Sequence, residues 1–207
     1  MITHSSDYLY SIDLNSLDNK IIFKEILEAE KCIIKLFGGP FYGETDDYDV
    51  YGNFASSQFE NYNTFQFPLN ETSKLYRELV NNITPFLNES YNYTLQCWFN
   101  VFKKGQNIKW HHHWEEPGSE VWHGFYCVNV GDSFTEYKIP DVKEIIKVPS
   151  KEGRLVFGKS DGDLHRSSPW NNSKEPRVTI AFDVIPYKNI KLEEFDEYIG
   201  RSFIPFK

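Results

Sequence analysis

The stretch from Tyr93 to Glu116 reads Tyr93-Thr-Leu-Gln-Cys-Trp-Phe-Asn-Val-Phe-Lys103, then a polar break at Lys104-Gly105-Gln106-Asn107, then Trp110-His111-His112-His113-Trp114-Glu115-Glu116. Its first part is rich in aromatic and β-branched residues and carries the period of two expected of a strand; the break reads as a turn. The second part is expected to continue as the next strand. Successive strand side chains point to opposite faces, so His111 and His113 share one face and His112 turns away. Two imidazoles on one face suit a transition-metal ion, because histidine is the commonest side-chain ligand for such metals. The run lies mid-chain between two tryptophans, which argues against a terminal tag or a solvated polar loop.

Downstream the same short period persists. Strands are expected over 120–130, more weakly near Tyr137, at 145–148, at 154–157 after Gly153, around Leu164-His165-Arg166, and over Arg177–Ile185, with polar or glycine-bearing turns between them. Many short strands of this kind predict a mainly β protein, an antiparallel sandwich or jelly roll. Upstream the period changes to that of a helix. Ile22, Ile26, Ala29, Ile33 and Leu36 mark one face of a helix over 18–37 stopped by Gly38-Gly39-Pro40, and Leu75, Leu79, Ile83 and Phe86 mark a second over 72–87, with Pro85 weakening its last turn. Residues 40–65 read as loop, and 192–199 as a short helix in the tail. The expected plan is one domain over 1–207: a helical support region (1–92), a β core (93–185) and a C-terminal tail (186–207).

Composition narrows the function. The chain has 207 residues, 17% of them aromatic, with one Met, which favours β packing on rings over a helical bundle. Its net charge of −8 and lack of a basic run disfavour nucleic-acid binding. Cys32, Cys97 and Cys127 are odd in number and lack C-x-x-C spacing, so they form neither a disulfide framework nor a thiolate zinc site. No apolar run approaches the ~20 residues that span a bilayer, and the N-terminus lacks a signal peptide, so a cytoplasmic protein with no membrane partner is expected.

The third ligand must come from a late strand folded over the same cavity, and His165 is the candidate. One hairpin further on, Arg177 opens an apolar strand on which Arg177, Thr179 and Ala181 share a face. An arginine beside a metal is suited to grip a carboxylate bidentately, which points to a small dicarboxylic or keto acid.

The order His111-x-His113, Gly124-Phe-Tyr-Cys-Val-Asn129, Gly153-Arg-Leu-Val-Phe157, His165 and Arg177-Val-Thr-Ile-Ala-Phe182 resembles the Fe(II)- and 2-oxoglutarate-dependent oxygenases, and most of all their small phage and bacterial members, in which segments like Trp98-Phe-Asn100 and Lys103-Lys104-Gly105 precede the histidine motif. The resemblance covers roughly 93–185. It implies a double-stranded β-helix (cupin-like jelly roll), His111 and His165 as iron ligands, Arg177 as the residue holding the distal carboxylate of 2-oxoglutarate, and Thr179 beside it. It also implies a dioxygenase that uses O2, converts 2-oxoglutarate to succinate and hydroxylates a substrate that the sequence does not name.

This chain departs from the family at the second motif position, usually a carboxylate and here His113. The preferred set is His111, His113 and His165; Glu115 or Asp163 are alternative carboxylate ligands. Three neutral imidazoles leave a site one unit more positive than two imidazoles and a carboxylate. Such a site also suits Zn²⁺, which keeps a zinc hydrolase open as an alternative, and the missing carboxylate keeps open a non-catalytic cupin-like metal-binding module. His123 reads as a hydrogen-bonding neighbour of the site or a core residue. Trp110, Trp114 and Trp122 read as packing.

Overall fold

The computed structural model describes residues 2–4, 8–37, 62–113, 118–191 and 202–206. In chain order the elements are β1 (Ile2–His4), β2 (Leu9–Asp13), α1 (Asn19–Phe37), α2 (Asn70–Ile83), β3 (Tyr93–Phe102), β4 (Trp122–Asn129), β5 (Phe134–Lys138), β6 (Ile146–Pro149), β7 (Arg154–Lys159), β8 (Leu164–Ser167), β9 (Arg177–Pro186) and β10 (Ile204–Pro205). Seven strands form one antiparallel sheet in the order β1-β2-β7-β4-β9-β3-β10, and three form a smaller one, β6-β5-β8. This is the expected mainly β architecture, a double-stranded β-helix with helices outside it.

Every residue of β3 and β9 is buried. The large sheet is covered on both faces, so its strands alternate between two buried environments and not between core and water. One face receives the helices: Leu95, Phe99, Val101, Ile180, Phe182 and Val184 pack with Ile22, Ile26 and Ile33 of α1 and Leu75, Leu79 and Ile83 of α2. Each such side chain contributes about 1.5–3 kcal/mol when fully withdrawn from water. The opposite face pairs Gln96 with Asp183, Trp98 with Ala181, Asn100 with Thr179 and Phe102 with Arg177 across β3 and β9. That face is polar at its centre, and it carries the site.

Three features depart from the sequence reading. The segment before α1 supplies β1 and β2, with β2 pairing β7 through Leu9↔Gly158 to Asp13↔Arg154. The histidine stretch is not a regular strand: it meets the small sheet at one bridge, His111↔His165, closed by His111 N–H to His165 O at 3.1 Å and His165 N–H to His111 O at 2.9 Å.

The third departure is that α2 begins before Thr72. Its N-cap, Leu69, offers no side-chain hydrogen bond, and Glu25 of α1 supplies the cap from outside, accepting from the backbone N–H groups of Glu71 (2.9 Å) and Thr72 (2.8 Å) and from the Thr72 hydroxyl (2.7 Å). At the other end Thr84–Phe86 continues as a 3-10 turn holding Pro85. The expected helix over 192–199 lies outside the described residues, as does most of the 40–65 loop.

Gly124 in β4 is required by close approach, since a Cβ there would lie 2.2 Å from the Val156 carbonyl oxygen of β7. No helix among the described residues is long and apolar enough to cross a membrane.

Candidate metal centre

Where the small sheet closes over the large one, His111, His113 and His165 each offer a ring nitrogen, and these lie within 4.8 Å of one another. The His111 bridge to β8 sets the first next to the third, with ring centroids 4.2 Å apart; His113 stands 5.4 Å from His111 and 5.1 Å from His165. Trp98 of β3 stacks on His113 and Tyr137 of β5 stacks on His165, at 5.7 and 5.5 Å.

Hydrogen bonds fix two of the rings. Nδ1 of His111 lies 2.9 Å from the Lys109 carbonyl, which can only accept, so Nδ1 carries the hydrogen and Nε2 keeps its lone pair in the neutral ring. Nδ1 of His113 lies 2.6 Å from Oδ1 of Asp183 and donates to it. Asp183 comes from β9, on the same face as Arg177, Thr179 and Ala181, and sequence reading missed it. A carboxylate on the outer nitrogen of a ligand histidine fixes the ring and raises its basicity. Here it also places a negative charge directly behind His113.

Electrostatics keeps two donors neutral. Burial, reinforced by the His113 ring, lowers the His111 pKa to about 4. Burial and then His111 lower His165 well below the usual histidine range. Both therefore present lone pairs at neutral pH, as a metal requires. The residues fit a divalent transition metal: three convergent nitrogen donors, with a carboxylate behind one of them.

His123 and Asp163 lie deeper. Nε2 of His123 is 3.1 Å from Asp163 Oδ1, and Nδ1 of His165 is 3.4 Å from Asp163 Oδ2. Burial alone would raise Asp163, but His123 and then His165 hold it well below the usual carboxylate range; burial would lower His123, but Asp163 holds it up. Asp163 is not within reach of all three of the first histidines, and joins His123 and His165 in a separate group. Glu115 and Trp114 lie outside the described residues. Trp122 is core, against Tyr10, Phe86 and Phe157, whereas Trp110 takes Lys138 and Arg166 over its ring.

Arg177 is 3% exposed. Its Nε donates to the Ser133 hydroxyl at 3.1 Å, its guanidinium lies 5.3 Å from the centre of the Phe102 ring, and among the described residues no carboxylate pairs with it. Burial lowers its pKa, offset by Cys127 and Tyr137. A buried cation with no anion costs several kcal/mol, and a bound carboxylate would remove that cost. Along the same face the Thr179 hydroxyl accepts from the Asn100 amide at 3.4 Å, and the Asn100 side-chain carbonyl is buried without a hydrogen bond.

No protein-family model matches this chain, and no curated protein matches it in sequence. Solved structures do. A prolyl hydroxylase from Trichoplax adhaerens, in complex with a hypoxia inducible factor oxygen degradation domain peptide, superposes with a TM-score of 0.64 at 14% identity, covering 89% of this chain and 86% of that one. The non-heme alpha ketoglutarate dependent epimerase SnoN from nogalamycin biosynthesis gives 0.57 at 11% identity over 86% and 76%. A Pseudomonas putida prolyl-4-hydroxylase gives 0.54 at 12% over 86% and 93%. In fold, therefore, this chain is a double-stranded β-helix like these structures.

Proposed function

We propose that the chain is an Fe(II)- and 2-oxoglutarate-dependent dioxygenase that uses O2 to hydroxylate a substrate while 2-oxoglutarate becomes succinate. The observation that carries this reading is Arg177, buried and, among the described residues, without a carboxylate partner, on the same sheet face as Asp183, which holds His113 of the three-histidine cluster. A metal site alone suits many reactions. A metal site on the same sheet face as a buried guanidinium that no described carboxylate neutralises suits a small acid with one end on the metal and a carboxylate at the far end.

His111, His113 and His165 would hold the iron, and when bound it would supply the chemistry that activates O2 and splits the 2-oxo acid. The chain's own residues do the rest. Lys109 O and Asp183 orient the His111 and His113 rings so that their Nε2 lone pairs face outward from those contacts. Arg177 grips the far carboxylate with its planar fork, and the Ser133 hydroxyl keeps the guanidinium in place through Nε. Thr179 and the free carbonyl of Asn100 offer further polar contacts beside it. Trp98 against His113, Tyr137 against His165 and Phe102 against Arg177, all at most 7% exposed, keep water from these side chains and strengthen the electrostatic contacts among them.

The test is calorimetric titration of 2-oxoglutarate into the Mn²⁺-loaded protein under nitrogen, followed by succinate detection with Fe²⁺ in air. Metal-dependent binding is expected, with succinate formed slowly even without a primary substrate. Metal binding without any 2-oxoglutarate binding would move the assignment to a zinc hydrolase or a binding module.

A further inference from the structure

We propose that His123, Asp163 and His165 form a second, inner seat for a divalent transition-metal ion, which holds an ion without help from His111 and His113. Two of the side chains come from one segment, Asp163 immediately before β8 and His165 within it, and His123 comes from β4. One donor atom of each lies within 4.8 Å of the others. His123 is 3% exposed, Asp163 5% and His165 9%, so the group lies under the protein surface.

What points to a ligand is the state of the atoms. Nε2 of His123, Nδ1 of His165 and both carboxylate oxygens of Asp163 are buried, and none has an aligned hydrogen bond. The contacts at 3.1 and 3.4 Å are close, but their directions miss the alignment that a hydrogen bond needs. Native proteins rarely bury so many polar atoms together without aligned hydrogen bonds. Two imidazole nitrogens and a carboxylate oxygen gathered within 4.8 Å of one another, and not spent on hydrogen bonds, are what an ion requires. Two imidazoles and one carboxylate with further positions open is also a donor set that suits Fe²⁺ and Zn²⁺. An imidazole has two ring nitrogens, and in His165 it is Nδ1 that stands on the Asp163 side. The carboxylate missing from the first histidine group is thus present one layer deeper.

The proposal is independent of 2-oxoglutarate and is tested by metal content alone. The full chain carrying His111→Gln and His113→Gln is stripped with chelator, titrated with Co²⁺ and followed by visible absorption, with metal analysis after desalting. One tightly bound Co²⁺ per chain is expected. Adding Asp163→Asn or His123→Gln to that background should lower its affinity by at least a hundredfold. A folded double variant that binds no Co²⁺ overturns the proposal, and so does binding that neither further change reduces. Should the double variant lose its near-ultraviolet circular dichroism, His111→Gln alone takes its place. It should keep one Co²⁺ that Asp163→Asn then removes, and loss of all Co²⁺ from the single variant overturns the inner seat.

Discussion

At the scale of single residues, Arg177 and Asp183 carry the sharpest expectations. A hydrogen bond to a charged group is worth ~1.5–3 kcal/mol and each ~1.4 kcal/mol is tenfold in affinity. Arg177→Ala should therefore weaken 2-oxoglutarate binding by roughly ten- to a few-hundredfold, with metal content unchanged. Arg177→Lys should recover only part of the loss, because an ammonium lacks the fork. Equal binding by parent and Arg177→Ala, read by calorimetry, would remove the basis of the oxygenase reading. Asp183→Asn keeps a hydrogen-bond acceptor for His113 but removes the charge behind it. It should lower metal affinity about ten- to a hundredfold, the usual effect of losing such a partner, and His113→Asp should offset the loss by restoring a carboxylate at the centre. His111, His113 and His165 could be picked out from residue type and spacing, and the structure brings their rings together; Arg177 and Thr179 were picked out with them, Thr179 through the family resemblance, and the structure puts both on the sheet face of Asp183. Asp183, Asn100 and Tyr137 were not picked out: each matters through a neighbour that only strand register supplies, such as Asn100 opposite Thr179 and Tyr137 opposite His165.

Among the elements, the two helices cap each other. Glu25 on α1 takes the first free N–H groups of α2, while Glu71 on α2 takes the Asp18 N–H at the start of α1 at 2.9 Å. Caps are worth ~0.5–2 kcal/mol and charged hydrogen bonds somewhat more, so Glu25→Ala should destabilise the protein by about 2 kcal/mol in urea unfolding. The Lys74 ammonium first, and the Asp18 N–H second, hold Glu71 below the ordinary glutamate value. A depressed carboxylate stabilises the fold above its ordinary pKa and ceases to do so as pH falls through the lowered one. The gap in unfolding midpoint between the parent and Glu71→Gln should accordingly be widest at pH 6 and shrink toward pH 3. A constant gap would show that the Glu71 charge plays no part. The apolar period exposed both helices in the sequence, and α1 starts on a local cap, Asp18 Oδ1 accepting from the N–H groups of Lys20 (3.0 Å) and Ile21 (3.2 Å), whereas the start of α2 depends on Glu25, which no local capping rule contains. β2 was hidden for a related reason: Leu9–Asp13 is too short to announce itself, and it is a strand because β7 offers it an edge.

For the whole molecule, metal binding should appear as stability. At a free metal concentration a hundred times Kd, an ion that binds only the folded state adds ~2.7 kcal/mol, which for a domain of this size raises Tm by about 5–10 °C. Differential scanning fluorimetry with and without chelator measures it, and an unchanged Tm would mean that the histidine cluster holds no ion in solution. The strand order β1-β2-β7-β4-β9-β3-β10 also governs the birth of the chain. On a ribosome β2 emerges early but must wait for β7, and β3 must wait for β9; at typical elongation rates the first delay is on the order of ten seconds or more. Through that interval the helices are already made, with Ile22, Ile26, Leu75 and Leu79 facing a sheet that does not yet exist. The nascent chain is thus a natural client for chaperones that shield apolar helices, and co-expression of such a chaperone should raise its yield of folded protein.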